Sequence, residues 1–332
     1  MLKSLIITSL LLFCSLLQAN TTTLKIATLA PDGTSWMNIM RDGAKEVEQR
    51  TSGRVKIRFY PGGVMGNDNS VLRKIRVGQL HGGALTAGGL AAIYPDIQLY
   101  SLPFLFRSFD EVDYVRKQMD PLLIKGLHEA GFVSYGISEG GFAYLMSHLP
   151  LDSVDALRQQ KIWSPEGDQI SLLAFRTIDV SPVPLPLTDV LTGLQTGLID
   201  TVGSSPIGAI ALQWHTRIKH IADIPLIYLY GTLVITEKAV NKLSPEDQNI
   251  LKEVMERQFQ LINQQNRDDN LAARQALQKQ GIIFHQPMNG SRESWQQLID
   301  KVEQRIKQEN LLDPSLFKQI QQLLETKRKE KG

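Results

Sequence analysis

The sequence predicts an α/β protein of two domains, and three observations lead to that class. The chain has 332 residues, enough for two ordinary domains, and 42% of them are hydrophobic. Its N-terminal part alternates strand and helix patterns, an order typical of a largely parallel sheet with helices on both faces. One long amphipathic helical pattern, residues 245–279, follows later in the chain.

Residues 1–19 have the layout of a secretory signal peptide. Lys3 gives a positive start, a mostly apolar run extends from Leu5 to Leu17, and Ala19 precedes a candidate cleavage position. The run is short for a bilayer span, so an uncleaved anchor is the less favoured alternative. The only cysteine, Cys14, lies inside it. The mature chain is therefore expected to have no disulfide and no thiolate nucleophile or metal ligand.

The N-terminal elements follow from alternating apolar positions and capping residues. They are a strand at 24–29, a helix from a cap at Thr34 or Ser35 to about Arg50, a strand at 55–60 and a helix at 70–77. Two glycine-rich stretches, 62–66 and 82–89, match neither phosphate-loop nor dinucleotide-binding spacing. They are interpreted as turns that let the backbone approach something closely.

The remaining elements are predicted in the same way. They are strands at 132–137 and 161–165, an extended segment at 181–187, a helix at 190–196 closed by Gly197, a strand at 198–202, the helix at 245–279, a strand at 282–284, and helices at 292–308 and 314–327. The long helix has the clearest start, with Ser244 at the cap, Pro245 at the first position and acids in the first turn. Its polar stretch at 265–270 is interpreted as helix surface spanning both domains.

No pattern supports a catalytic centre, a cofactor or a metal ion. Gly203-Ser204-Ser205 lacks the frame of a serine nucleophile, and His215 and His220 are five residues apart, which does not place them on one helical face. Glu166 and Asp168 lie in a turn, where bonds to local backbone N–H groups are expected. With 36 Lys and Arg against 34 Asp and Glu, the charge balance gives no reason to expect nucleic acid.

Four segments, in this order, resemble those of one family, the DctP-type extracytoplasmic solute receptors of TRAP (tripartite ATP-independent periplasmic) transporters. The segments are Ile57–Gly66, Tyr94–Ile97 running into Leu102–Phe106, Leu187–Asp200 and Lys242–Glu246. The resemblance covers nearly all of the mature chain. It implies a two-lobe periplasmic-binding-protein-like fold with hinge strands and a long lobe-spanning helix.

The resemblance also implies lobe boundaries and a function. Lobe I is expected at residues 20–145 plus about 232–270, and lobe II at about 146–231 plus 271–332. The expected function is capture of a small organic ligand between the lobes of a periplasmic monomer, and its delivery to TRAP membrane permease subunits. A secreted enzyme or a ligand sensor with the same fold is the alternative, because fold alone does not fix function.

The chain departs from the family at its ligand anchor. These receptors usually hold a ligand carboxylate with an arginine, and here Trp163 occupies that arginine's place. A tryptophan offers one N–H donor and an apolar face but no charge. The ligand is therefore expected to be neutral, aromatic or apolar and not a simple dicarboxylate. The alternative is that Trp163 is core packing and the anchor has moved, to Arg176 or Arg58.

Further candidates for the pocket lie where strand ends are expected to face the cleft. They are Trp36, Met65, Glu139, Phe142, Ser204, Ser205 and Trp214. For the three aromatic residues, ordinary core packing is the alternative. Glu139 either accepts hydrogens from a ligand hydroxyl or amine, or faces solvent. One of the two serines stands where the family often has asparagine.

Overall fold

The computed structural model describes residues 21–151, 154–286 and 291–330, with the side chains of 154 and 291–299 left out. The predicted signal peptide lies outside the described residues. The strands are β1 (Thr22–Thr28), β2 (Val55–Tyr60), β3 (Gly82–Thr86), β4 (Phe132–Ser134), β5 (Ser138–Ser147), β6 (Trp163–Pro165), β7 (Val183–Leu185), β8 (Thr201–Ser204), β9 (His220–Ala222), β10 (Ile227–Thr236) and β11 (Ile283–His285).

The α-helices alternate with these strands and vary widely in length. They are α1 (Ser35–Arg50), α2 (Asp68–Arg76), α3 (Ala87–Leu90), α4 (Phe109–Glu129), α5 (Val154–Arg158), α6 (Gln169–Thr177), α7 (Val190–Thr196), α8 (Pro206–Ala211), α9 (Glu237–Val240), α10 (Pro245–Lys279), α11 (Ser291–Gln308) and α12 (Pro314–Lys329). Short 3₁₀ helices cover Pro95–Ser101, Leu187–Asp189 and Trp214–Thr216. Within the described ranges, none of the helices is both long and apolar enough to cross a membrane.

Two long antiparallel strands, β5 and β10, run through both lobes and form the hinge. The strand order is β11-β9-β5-β10-β3-β1-β2, with β4 on β10 and β8 on β5. The pairs β1–β2, β1–β3 and β9–β11 are parallel, but every described pairing of β5 and β10 is antiparallel. The prediction of a largely parallel sheet is therefore wrong for the hinge, because these strands return between the lobes.

Helix α10 spans both lobes. Near its start, Leu251 and Phe259 are buried in a core with β1 and β2. Near its end, Leu277 is buried in a second core that contains Trp163 and Trp214. The long lobe-spanning helix predicted from the sequence is confirmed.

The polar stretch of α10 fixes the hinge. Asn263 Oδ1 accepts a hydrogen bond from the Glu139 backbone N–H at 2.8 Å, and Asn266 Nδ2 donates to the Glu139 carbonyl. Asn270 Nδ2 donates to the Gly140 carbonyl at 3.2 Å. Gly141 has φ +86°, and a β-carbon there would lie 2.7 Å from Asn270 Nδ2, so both the backbone and the space require glycine. The stretch interpreted as helix surface thus supplies the hydrogen bonds that hold β5.

Of the two glycine-rich stretches predicted as turns, residues 62–65 form a turn, but residues 82–89 do not. Residues Gly82–Thr86 form β3, not a turn, and a β-carbon on Gly82 would overlap the Val234 carbonyl of β10. The missing side chain therefore lets these two strands approach each other. Residues Ala87–Leu90 form the short helix α3, which begins with a cap at Thr86.

The C-terminal helix packs against a helix from the N-terminal part of the chain. Phe317 and Leu324 of α12 share a core cluster with Met119 of α4, and Arg328 Nε donates to Glu111 at 2.9 Å. The lobe boundaries stay a prediction. These contacts place α12 beside residues assigned to lobe I, although its own sequence was assigned to lobe II.

Candidate functional site

The main cavity of the described structure lies between the two lobes and has a volume of about 1160 Å³. Its walls come from segments that are far apart in sequence. They are Thr28–Trp36, Asn67–Asn69, Ala84–Gly89, parts of β5 and β10, Trp163, the turn Pro165–Gln169, Gly203–Ser205, the region from Ile207 to Trp214, and α10 from Asn266 to Ala276. Most of these segments are strand ends or helix starts, the places where backbone groups and side chains converge on a cleft.

Two predicted site residues, Trp163 and Trp214, line the cleft from the core behind it and are 6% and 2% exposed. Their ring centroids lie 5.2 Å apart at an interplanar angle of 75°, an edge-to-face pair. The Trp163 Nε1 donates to the Leu185 carbonyl at 3.0 Å. Because that bond uses the only N–H of its side chain, Trp163 offers a ligand an apolar ring and no donor.

Ser204 and Ser205 also line the cleft, but their hydroxyls already have local partners. Ser204 Oγ donates to the Ser205 carbonyl at 3.1 Å. Ser205 Oγ accepts from the Gly208 N–H at 3.3 Å and so caps α8. Trp36, at the second position of α1, lines the cavity and packs partly against the first-lobe core.

Glu139 contacts the cleft, but its carboxylate is committed to the hinge. The residue is 1% exposed, and its oxygens accept from Arg267 Nε at 2.7 Å and from the Tyr228 hydroxyl at 2.8 Å. Arg267 also binds Asp113, and its hydrogen bonds to Asp113 and Glu139 raise the pKa of this guanidinium. Neither alternative proposed from the sequence describes this residue. It is a buried ion-pair partner that joins β5 to α10.

Met65 and Phe142 lie outside the cavity wall. Phe142 is 7% exposed and packs in the large core, with its ring 4.9 Å from that of Phe109 and 5.8 Å from that of Tyr228. Met65 packs partly against the same core. The apolar neighbours of these side chains draw them away from the cleft.

The cleft contains acids and no cation. Neither of the two alternative anchors, Arg58 and Arg176, lines it, and both are exposed. Among the residues that the structure describes, no lysine, arginine or histidine contributes to the cavity wall. The acids in the wall are Asp32, Asp68, Glu139, Glu166, Asp168 and Asp269.

Polar contacts join the lobes at the mouth of the cleft. Asn67 Nδ2 donates to Glu166 Oε2 at 2.9 Å, and Gln98 Nε2 donates to Asp168 Oδ1 at 2.8 Å. Asp168 also caps α6 by accepting from the Ser171 N–H at 3.1 Å. The expectation of local backbone bonds is thus confirmed for Asp168, whereas Glu166 bonds across the cleft to a residue 99 positions away.

The described side chains offer no site for a metal ion. No group of three or more His, Asp or Glu residues is arranged to hold one in residues 21–151, 154–286 or 300–330. The histidines are less scattered than the sequence implies, because His220 Nδ1 lies 2.7 Å from His285 Nε2 on neighbouring strands. Partial burial, together with His285, lowers the pKa of His220.

Comparison with known proteins gives concordant matches. The family model for bacterial extracellular solute-binding proteins, family 7 (DctP), matches residues 26–310. Protein YiiZ of Salmonella typhimurium is 26% identical over 220 residues, which are 63% of this chain and 64% of that protein, slightly under two thirds of its length. The sialic acid-binding periplasmic protein SiaP of Vibrio cholerae is 25% identical over 243 residues, 71% of this chain and 74% of SiaP.

The fold is shared with solved structures. A TRAP periplasmic solute-binding protein from Desulfovibrio salexigens, with bound orotic acid, superposes with a TM-score of 0.84 and 17% identity. The superposition covers 92% of this chain and 99% of the other. The two-lobe fold class expected from the sequence is thereby confirmed.

Proposed function

The chain belongs to the DctP family of bacterial extracellular solute-binding proteins, and on that premise we propose that it is the periplasmic receptor of a TRAP-type secondary transporter. The family and the matched structures are solute-binding proteins, not enzymes. The receptor captures a small organic molecule between its lobes as a monomer and delivers it to membrane permease subunits. Closing of the lobes is driven by the ligand's higher affinity for the closed state.

The proposal about the charge and polarity of the ligand rests on the residues of the cleft wall. SiaP is named for an acid, and the Desulfovibrio structure holds one. In this chain, the described wall has no cationic side chain to pair with a carboxylate, and Trp163 presents only its ring. A buried carboxylate without a cation costs roughly several kcal/mol. The ligand is therefore not a simple dicarboxylate, and its body is aromatic or otherwise apolar.

A thermal-shift panel on the mature protein tests this function. The panel contains dicarboxylates, hexuronates, sialic acid, polyols, amines, aromatic compounds and fatty acids. A ligand at 100 times its Kd stabilises the folded state by about 2.7 kcal/mol, which is readily measured as a rise in Tm. We expect compounds without a carboxylate to give the shifts. A strong shift from a dicarboxylate would contradict the specificity, and no shift from any class would contradict the receptor function.

A matched pair of variants locates the binding site. Ala272 lines the cavity and is exposed, while its neighbour Leu271 is 60% exposed and lies outside the wall. Ala272→Trp should fill the cleft and abolish the ligand-induced rise in Tm. Leu271→Trp should leave that rise unchanged, because it adds the same ring on a face that does not meet the ligand. Equal behaviour of the two variants would place the binding site elsewhere.

A further inference from the structure

Four of the six acids in the cleft wall have no ion pair in the described structure, and one of these, Asp269, accepts a hydrogen bond from Gln265 of its own helix. Of the acids in the wall, Asp32 pairs with Arg41 and Glu139 pairs with Arg267. Asp68, Glu166 and Asp168 have no ion pair within the described part of the chain. Their hydrogen bonds come from neutral donors, namely the Thr86 backbone and hydroxyl to Asp68, the Asn67 amide to Glu166, and the Gln98 amide and Ser171 to Asp168.

Two of these carboxylates lie beside one pair of glycines in the cavity wall. A β-carbon on Gly89 would overlap the Asp68 carboxylate, and a β-carbon on Gly88 would lie 3.4 Å from Asp168 Cβ. Glu166 bonds to Asn67, the residue before Asp68. Asp68 and Asp168, which are far apart in sequence, therefore lie on either side of the same glycine pair.

Among these acids, Asp68 is the one with a buried carboxylate oxygen that has no hydrogen-bond donor in the described structure. Its Oδ1 atom is buried and has no hydrogen-bond partner, although the residue lines the cavity. A buried carboxylate oxygen without a donor lowers stability, so its presence needs an explanation. Burial also raises the pKa of this carboxyl, because a low-dielectric environment disfavours its charged form. An N–H group of a cationic ligand would supply both a donor and a positive charge.

The rest of the cavity includes apolar side chains that can contact the hydrocarbon part of a ligand. From the glycine pair, the wall continues through Pro165 to the Trp163 and Trp214 rings. A second cavity of about 40 Å³ shares Leu145, Phe175 and Leu226 with the first and is lined by Phe104, Leu157 and Val302, among others. Apart from Ser171, its lining side chains are all apolar. An acidic head site therefore adjoins an apolar pocket.

We propose that the cleft takes an organic cation, in which a primary ammonium donates to Asp68 and is further stabilised by the negative charges of Glu166 and Asp168, while an aromatic or aliphatic body lies against Trp163 and Trp214. This inference rests on the proposed receptor function. An ammonium fits better than a metal ion, since no three acidic or histidine side chains in the described structure converge as metal ligands must. An ammonium needs only one carboxylate within hydrogen-bond distance, and further carboxylates nearby stabilise it through their charge.

Probes that differ only at the head group test this inference. Tryptamine is compared with tryptophol and indole-3-propionate, and octylamine with octanol and octanoate, by calorimetric titration and thermal shift. We expect the amine of at least one series to bind at least about tenfold more tightly than its alcohol, and the carboxylate to bind most weakly. If neither amine binds, or if each amine binds no more tightly than its alcohol, the ammonium site is wrong.

Charge-removing variants supply a second readout. Asp68→Asn with Asp168→Asn keeps the side-chain shapes, and asparagine still caps α6. In this double variant, the preference for the amine over the alcohol should fall at least about tenfold. The asparagine oxygens can still accept from Thr86 and from the Ser171 N–H, so the protein without ligand should unfold in one cooperative transition like the wild type. Asp42→Asn, an exposed acid paired with Lys45, is the control and should leave the preference intact.

The two proposals fail in different ways. If alcohols or acids bind and stabilise the protein while amines have no advantage, the ammonium site is wrong and the receptor function stands. If no compound of any class binds, the receptor function itself is contradicted. A preference for amines that survives the double variant would also overturn the inference, because it would place the cation elsewhere.

Discussion

The hydroxyl of Ser164 shows what a single side chain contributes when its polar atom has no partner. Ser164 lies on β6 between Trp163 and Pro165, is 1% exposed, and has no hydrogen bond to its Oγ in the described structure. We expect Ser164→Ala to leave the free energy of unfolding unchanged or to raise it by up to about 1 kcal/mol, since no bond is lost. The measurement is the midpoint of urea-induced unfolding.

A satisfied serine provides the control for this prediction. Ser134 is 7% exposed, and its Oγ bonds with the Thr232 hydroxyl at 2.6 Å and with the Gly136 carbonyl at 3.1 Å. Ser134→Ala should lower the free energy of unfolding by about 1–2 kcal/mol, because those partners lose their bond. A similar loss from Ser164→Ala would show that a buried water or another group binds its hydroxyl.

At the scale of elements, the start of α10 depends on one charged contact. Asp247 is 4% exposed and accepts two hydrogen bonds from Arg54, with Nη2 at 2.7 Å, while its N–H is capped by Ser244. We expect Asp247→Asn to lower the free energy of unfolding by about 1–2 kcal/mol at pH 7, less than a fully buried charged bond because Arg54 is partly exposed. Glu246→Gln is the control, since Glu246 is 77% exposed and 3.8 Å from Arg54.

The same contact predicts a dependence on pH. The Arg54 hydrogen bond holds the pKa of Asp247 below its usual value of 3.8 in the folded state. A lowered folded-state pKa gives stability that is present above the unfolded-state value and is lost as the pH falls through the folded-state value. Unfolding curves of the wild type and Asp247→Asn should therefore differ fully at pH 7, begin to converge as the pH falls below about 4, and meet only below the lowered folded-state pKa. A difference that stays constant with pH would exclude a charge effect.

Elements with strong local signals could be predicted from the sequence, and those that depend on distant partners could not. The bounds of α10, β2 and α7 are as predicted, because a cap, an alternating pattern and Gly197 at φ +72° act locally. Strand β5 was not predicted in full, since Glu139-Gly140-Gly141 interrupts its pattern. Strand β5 is held in place by its pairing with β10 and by hydrogen bonds with asparagines of α10 that lie more than 120 residues away.

The residues of the candidate site also fall into those that the sequence could predict and those that only the folded structure brings together. Trp163 was found because the family resemblance marks its position, and Trp214 because strand ends were expected to face the cleft. Asp68 carries no local signal, since an acid in the first turn of a helix is ordinary. Its significance comes from Gly89 and Thr86, which lie beside it only in the folded chain. The acidic cleft could not be predicted from the net charge, because a balanced total of acidic and basic residues does not show where they lie in the fold.

At the scale of the whole molecule, we expect a contact between the lobes to limit how far the cleft closes. Thr188, in the 3₁₀ helix before α7, is exposed, and its methyl group lies 3.0 Å from the position of a β-carbon on Gly63 of the other lobe. Thr188→Trp should hold the lobes apart without entering either core. The apparent Kd of any cleft ligand should then rise by about tenfold if the closed fraction falls tenfold, since affinity scales with the population of the binding-competent state.

The control for this prediction is an equal substitution on the same lobe. Thr192 is an exposed residue of α7 outside the cavity wall, so Thr192→Trp adds the same ring without meeting the other lobe. Small-angle scattering with saturating ligand should show a larger radius of gyration for Thr188→Trp than for Thr192→Trp, while urea unfolding of the two ligand-free variants should agree. If Thr188→Trp binds and compacts like the control, the contact near Gly63 does not limit closure. The energy of closing would then reside in the ligand and in the polar contacts of Glu166 and Asp168 alone.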